Sequence, residues 1–162
     1  MPTNPPPETT LRPLGGDPQP LAHFLTTFHL VVVVLDPFTL ESAWLLETGA
    51  RVLENFSQAD CRVAWLVTAE PDDCREFLGP HARRFLTFSD PDREFVKALG
   101  LERLPALVDI GLDASVIDAA EGWRPADWRR VSERLERVLS WKGPTLPGAK
   151  DPAPFEGSPA VA

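Results

Sequence analysis

Apolar positions along the chain fall into two rhythms. Short unbroken runs, LVVVVL at residues 30–35 and RVAWLVT at residues 62–68, suit strands covered on both faces, as in a parallel sheet. Between such runs the apolar residues recur at helical spacing. Leu21, Phe24, Leu25 and Phe28 fall at i, i+3, i+4 and i+7 behind Asp17-Pro18, which predicts a helix reaching to about residue 29. Leu45, Leu46, Gly49, Val52, Leu53 and Phe56 form one face of a helix over residues 39–56, with Thr39 as N-cap. Gly49 costs that helix about 1 kcal/mol, and its place there fits close packing on a sheet.

The second half continues the alternation. Residues 71–84 predict a helix broken or kinked at Gly79-Pro80, and residues 85–88 a short strand. Ser89-Asp90-Pro91 caps a helix over residues 91–99 that Gly100 ends. Residues 106–110 and 115–120 read as a hairpin, the one antiparallel pair expected. The last helix spans residues 125–141, with Trp128, Val131, Leu135, Val138 and Leu139 inward. Strand–helix alternation calls for right-handed crossovers and a mainly parallel sheet. Residues 17–142 are expected to form one domain, and the proline-rich arms, residues 1–16 and 143–162, to be disordered.

Charge narrows the partners. A formal net charge of -8 argues against non-specific binding to nucleic acid or to anionic membranes. No apolar run is long enough to span a bilayer, and the first twenty residues lack the basic start and apolar core of a signal peptide. Two cysteines, Cys61 and Cys74, suit a reducing compartment, so a cytoplasmic location is expected. They flank a strand of about eight residues and so lie roughly 25 Å apart, too far to pair. His23, His29 and His81 are scattered without metal-ligand spacing; no metal and no cofactor is expected. Asp36, Glu41 and Asp90 read as solvated loop and cap residues, since no fixed spacing pairs them.

The segment FLTFSDPDREFVKALGLERLPALVDIGLDASVIDAAEG, residues 85–122, carries Asp90-Pro91, Gly100, Leu104-Pro105 and a hairpin from Asp109 to Ala114. In this it resembles the second half of peroxiredoxins and of the membrane-linked thioredoxin-like reductases of bacteria. With the element order, the resemblance implies a thioredoxin-like three-layer α/β sandwich. Its five-stranded sheet is mostly parallel with one antiparallel edge strand, in the order 85–88, 62–68, 31–35, 106–110, 115–120. It also implies a cis peptide bond before Pro105.

The family's chemistry sits where the first central strand ends, here Asp36 to Ala43. A thioredoxin motif would place its cysteines on Leu40 and Ala43, within Leu40, Glu41, Ser42 and Ala43. A peroxiredoxin motif would place Thr39 at its threonine and Ser42 at its peroxidatic cysteine. In either register there is no thiol, and a serine hydroxyl does not ionise near pH 7. Cys74 lies at the same edge near a helix start, but Asp72, Asp73 and Glu76 raise its pKa; it is the one weak catalytic candidate, read first as an unreactive small residue. Trp44 is either core or one wall of a groove with Phe38, Leu40 and Leu104, beside Pro105, that holds a peptide. Phe155, the lone aromatic of the C-terminal arm, either docks on a partner or belongs to an idle end.

Three readings follow from the resemblance. The first is a non-catalytic binding or scaffold module in bacterial redox or stress physiology, with a protein or peptide partner held by Phe38, Leu40, Glu41, Ser42, Ala43, Trp44, Leu104 and Pro105. The second is a thiol-dependent antioxidant or disulfide oxidoreductase that uses Cys74 or a partner's thiol. The third is a binder of small thiols such as glutathione.

Overall fold

In the computed structural model, which describes residues 2–161, the unbroken apolar runs become the centre of one sheet. The chain begins with a small ribbon, β1 (Thr10–Leu11) against β2 (Gln19–Pro20), and one 3-10 helix (Leu21–Leu25). Then come β3 (Leu30–Leu35), α1 (Leu40–Trp44), α2 (Leu46–Ser57), β4 (Arg62–Val67), α3 (Pro71–Leu78), α4 (His81–Arg84) and β5 (Leu86–Ser89). The second half holds α5 (Glu94–Ala98), β6 (Arg103–Leu104), β7 (Ala106–Ile110), β8 (Val116–Glu121), α6 (Pro125–Leu139) and β9 (Ser158–Pro159).

The main sheet runs β5-β4-β3-β7-β8, the expected order. Every residue of β3 is buried. Successive side chains of a strand point to opposite faces. Val31, Val33 and Leu35 therefore join one core with α2, α3 and α6, and Leu30, Val32 and Val34 join the other with the 3-10 helix and α5. Gly49 fits its expected role: a Cβ there would stand 3.0 Å from the Trp65 ring and 3.1 Å from Val33.

Strand direction differs from the expectation in one respect. β3, β4 and β5 are parallel, but β7 is antiparallel to β3 as well as to β8. The opposed strand is thus the inner β7, and the edge strand β8 runs with β3. The link between β5 and β7 starts and ends at the same edge of the sheet, where Ser89 pairs with Val67 and Ala106 with Val34, so β7 runs back from there.

Three helices are also shorter or more broken than their periodicity suggests. The expected helix to residue 29 is a 3-10 turn over Leu21–Leu25, whose buried Leu21, Phe24 and Leu25 still face the core. β-Branched Thr26 and Thr27 disfavour its continuation. The expected helix over residues 39–56 breaks at Leu45, which turns fully into the core and separates α1 from α2. The capped helix after β5 begins at Glu94 rather than residue 91, although the Asp90 carboxylate does accept the N–H groups of Phe95 and Val96.

Neither arm is loose among the described residues, contrary to the disorder read from composition; Met1 and Ala162 lie outside them. The N-terminal arm buries Leu11 and is bonded to β5, Leu14 N–H to Thr87 and Ser89 N–H to the Arg12 carbonyl. The C-terminal arm buries Leu146 and Ala160, and Asp151 accepts hydrogen bonds from Arg51 and Thr48, 2.7 Å each. Proline removes donors and stiffens a chain, so such arms gain little from secondary structure of their own. Here they take their partners from the domain.

Candidate functional site at the carboxyl edge of the sheet

β3 ends in Leu35, and the next residues form a hydrogen-bonded turn. Asp36 is buried, and its carboxylate accepts the Phe38 N–H at 3.0 Å and a bond from the Arg93 guanidinium at 2.7 Å. The backbone N–H of Asp36 donates to Ser42 Oγ at 2.9 Å. Ser42 is completely buried, so this hydroxyl serves as an internal acceptor that ties the start of α1 back to the end of β3. Thr39 donates its hydroxyl to the Asp36 carbonyl at 3.0 Å and makes no side-chain cap to the helix. Asp36 and Asp90 are thus buried rather than solvated: Asp36 is paired with a cation, while Asp90 caps a helix as expected.

Arg93 is the member of this site that spacing arguments missed. It takes a left-handed backbone conformation (φ 59°), which costs a non-glycine residue roughly 1 kcal/mol. From there one guanidinium nitrogen reaches Asp36 and another donates to the carbonyl of Ala160 in the C-terminal arm. Nothing in the sequence around Asp92-Arg93-Glu94 marks this contact, because both partners are distant in the chain.

The apolar residues of the turn point outward. Phe38 is 72% exposed, Leu40 68% and Trp44 55%, which excludes Trp44 from the core. The Trp44 ring meets Phe155 edge-on, with centroids 5.7 Å apart. Ala43 is exposed and Glu41 half-buried. Leu104 and Pro105 are buried, and their peptide bond is cis. The structure does not join the residues named in the sequence into one open groove. Phe38 stands with Pro37 against Asp73, Glu76 and Phe77 of α3, while Trp44 faces the C-terminal arm. That arm runs between Trp44 and Leu104: Phe155 touches the first, and Ser158 pairs with the second.

Cys74 sits in the first turns of α3, fully buried. Its thiol donates to the Ala69 carbonyl at 3.3 Å. Burial pushes the thiol up to about 11, and Asp73 adds to the shift. Cys61 is also buried, and burial, helped by Asp109 and Asp60, pushes its thiol up to about 12. Both are free thiols, in environments opposite to those that yield a thiolate. Trp123 is buried against Trp128 with centroids 5.4 Å apart, and its indole N–H donates to the Pro152 carbonyl at 2.8 Å.

No protein-family model matches the chain. Solved structures do. Peroxiredoxin Q from Xylella fastidiosa, solved as a cysteine-to-serine mutant, is 17% identical with a TM-score of 0.66 over 85% of this chain and 96% of its own. Peroxiredoxin Q from Xanthomonas campestris, likewise a cysteine-to-serine mutant, is 16% identical with a TM-score of 0.67 over 83% and 96%. DsbF of MTB, determined in mixed oxidised and reduced forms, is 13% identical with a TM-score of 0.65 over 82% and 96%. Among the described residues no helix is long and apolar enough to cross a membrane. Identities this low carry the architecture, and with the sheet order and the helical layers they establish that this chain has a thioredoxin-like fold.

Proposed function

We propose that this chain is a redox-inactive thioredoxin-like domain that binds a protein or peptide partner at the carboxyl edge of its sheet, as a cytoplasmic scaffold in bacterial redox or stress physiology. The observation that carries this reading is the use made of the β3–α1 turn. Its buried hydroxyl, Ser42, is consumed by the Asp36 N–H, while Phe38, Leu40 and Trp44 stay in solvent. Three large apolar side chains left exposed within seven residues of one turn fit a surface that meets another molecule. The alternative, a thiol enzyme working through Cys74, needs a thiolate that burial at that position opposes; its other form would use a thiol lent by a partner.

Selection of a displayed random-peptide library on the full-length protein tests the binding reading, with the triple variant Phe38→Ser, Leu40→Ser, Trp44→Ala as counter-selection. The expected result is a family of peptides that bind the wild type and lose at least tenfold in affinity on the variant. Failure to enrich any peptide, on the wild type and on a variant with its C-terminal arm released, would retire the reading.

A further inference from the structure

The C-terminal arm does more at this edge than close off the chain. Beyond the Asp151 clamp, residues 152–161 lie extended against the domain. Phe155 exchanges both backbone hydrogen bonds with Trp123, at 2.9 and 3.0 Å. β9 then pairs antiparallel with β6, Ser158 opposite Leu104 and Pro159 opposite Arg103. The Ala160 N–H donates to the Glu102 carbonyl at 2.9 Å, and its carbonyl accepts from Arg93. This is strand addition, in which backbone bonds give affinity and a few side-chain positions give specificity.

Those positions are legible. Phe155 packs on Trp44. Gly157 (φ +89°) leaves no room for a side chain, since a Cβ there would lie 2.4 Å from the Leu104 carbonyl oxygen. On the receiving side Gly122 (φ +69°) is bare for the same reason: a Cβ would lie 2.2 Å from the Glu156 carbonyl oxygen. Ala160 is fully buried, so that place takes only a small apolar residue. The segment also lacks any large buried anchor: Phe155 is half-covered, and Pro159 and Val161 are exposed. By contrast the tether behind it is firm, held by buried Leu146 and by the Arg51–Asp151 ion pair. A strand held chiefly by backbone bonds on a fixed tether is an intramolecular ligand, present at an effective concentration on the order of millimolar.

We infer that residues 155–160 are the resident occupant of a strand-addition site formed by Glu102–Leu104, Gly122 and Trp44, and that an external partner enters by displacing them with an extended segment of the same pattern. That pattern is an aromatic residue, glycine two positions on, and a small apolar residue three positions further. This rests on the binding reading above and adds to it both the chemistry of the partner and the self-blocked state of the site. Because Arg93 holds both Ala160 and Asp36, release of the arm frees one arm of that guanidinium beside the exposed turn.

A fluorescent peptide of residues 153–161, titrated by anisotropy against full-length protein, is the test. Wild type should bind it weakly, because its own arm competes. The Gly157→Val and Phe155→Ala variants should bind it at least tenfold more tightly, and a peptide carrying Gly157→Val should not bind. Phe155→Ala keeps the test valid if Gly157→Val fails to fold, and circular dichroism establishes which variants are native. Equal affinity for wild type and natively folded variants, or no binding by any of them, overturns the inference. Library-selected peptides that bind wild type and both variants equally would leave the binding reading standing and remove the self-blocking arm alone.

Discussion

The turn after β3 and the turn after β4 leave the same edge of the sheet side by side, with Leu35 opposite Val67. They treat their side chains in opposite ways. The first places its hydroxyl, Ser42, inside as a structural acceptor and leaves three large apolar side chains in water. The second leads into α3, whose Cys74 thiol is buried and bonded to a backbone carbonyl. The residue with intrinsic reactivity is thus the one made inaccessible, and the exposed residues have none. A cysteine near a helix start is a candidate nucleophile only if its surroundings stabilise the thiolate, and here burial does the reverse.

This contrast can be broken by mutation, and the largest effect should come at Arg93. In Arg93→Met the buried Asp36 carboxylate loses its cation, which is expected to cost about 3 kcal/mol in chemical denaturation. A loss below about 1 kcal/mol would mean that Asp36 is solvated and the turn not pre-formed. Next comes Ser42→Ala, which leaves the Asp36 N–H without its acceptor; about 1–2 kcal/mol is expected by the same measurement. Trp44→Ala should change stability by no more than about 1 kcal/mol, since it removes one edge-on contact from a half-exposed ring. Amide exchange at Ser158 and Ala160 should nonetheless quicken in that variant.

Acid gives a smaller, graded effect. Burial alone would raise the Asp151 pKa, but the hydrogen bonds from Arg51, Gly148 and Thr48 outweigh it and hold the carboxyl below its ordinary value. A depressed folded-state pKa means that the stabilisation is complete above the unfolded value, about 4, and is lost as pH falls through the folded one. Docking of the C-terminal arm should therefore be independent of pH from 5 to 8 and weaken below 4. Tryptophan emission, through Trp44 and Trp123, should follow the release.

The centre of the molecule was open to reading from sequence because one physical requirement dominates it. Residues 30–35 and 63–67 are apolar without alternation and rich in valine, which suits a strand covered on both faces. The direction of β7 was not readable, because either sense of pairing with β3 satisfies the same apolar pattern. What decides it is that the link after β5 ends at the edge where it began. The Leu45 break, likewise, leaves helical periodicity intact while turning one side chain into the core. Of the candidate site, the exposed Phe38, Leu40 and Trp44 lay where the end of β3 pointed. Arg93, Gly122 and the residues of the arm did not, since their roles depend on contacts such as Arg51 with Asp151 across a hundred residues of chain. Proline-rich composition speaks to the structure an arm lacks by itself, and says nothing about the surface on which it comes to lie.

Whether this fold carries out thiol chemistry separates a binding module from an enzyme. Insulin disulfide reduction with dithiothreitol, run beside peroxide consumption, answers that directly for the wild type and Cys74→Ser. With the thiol held near pKa 11 and buried, neither protein should exceed the buffer rate in either assay. Turnover by the wild type that disappears in Cys74→Ser would contradict the account and move the active site from the β3–α1 turn to the start of α3.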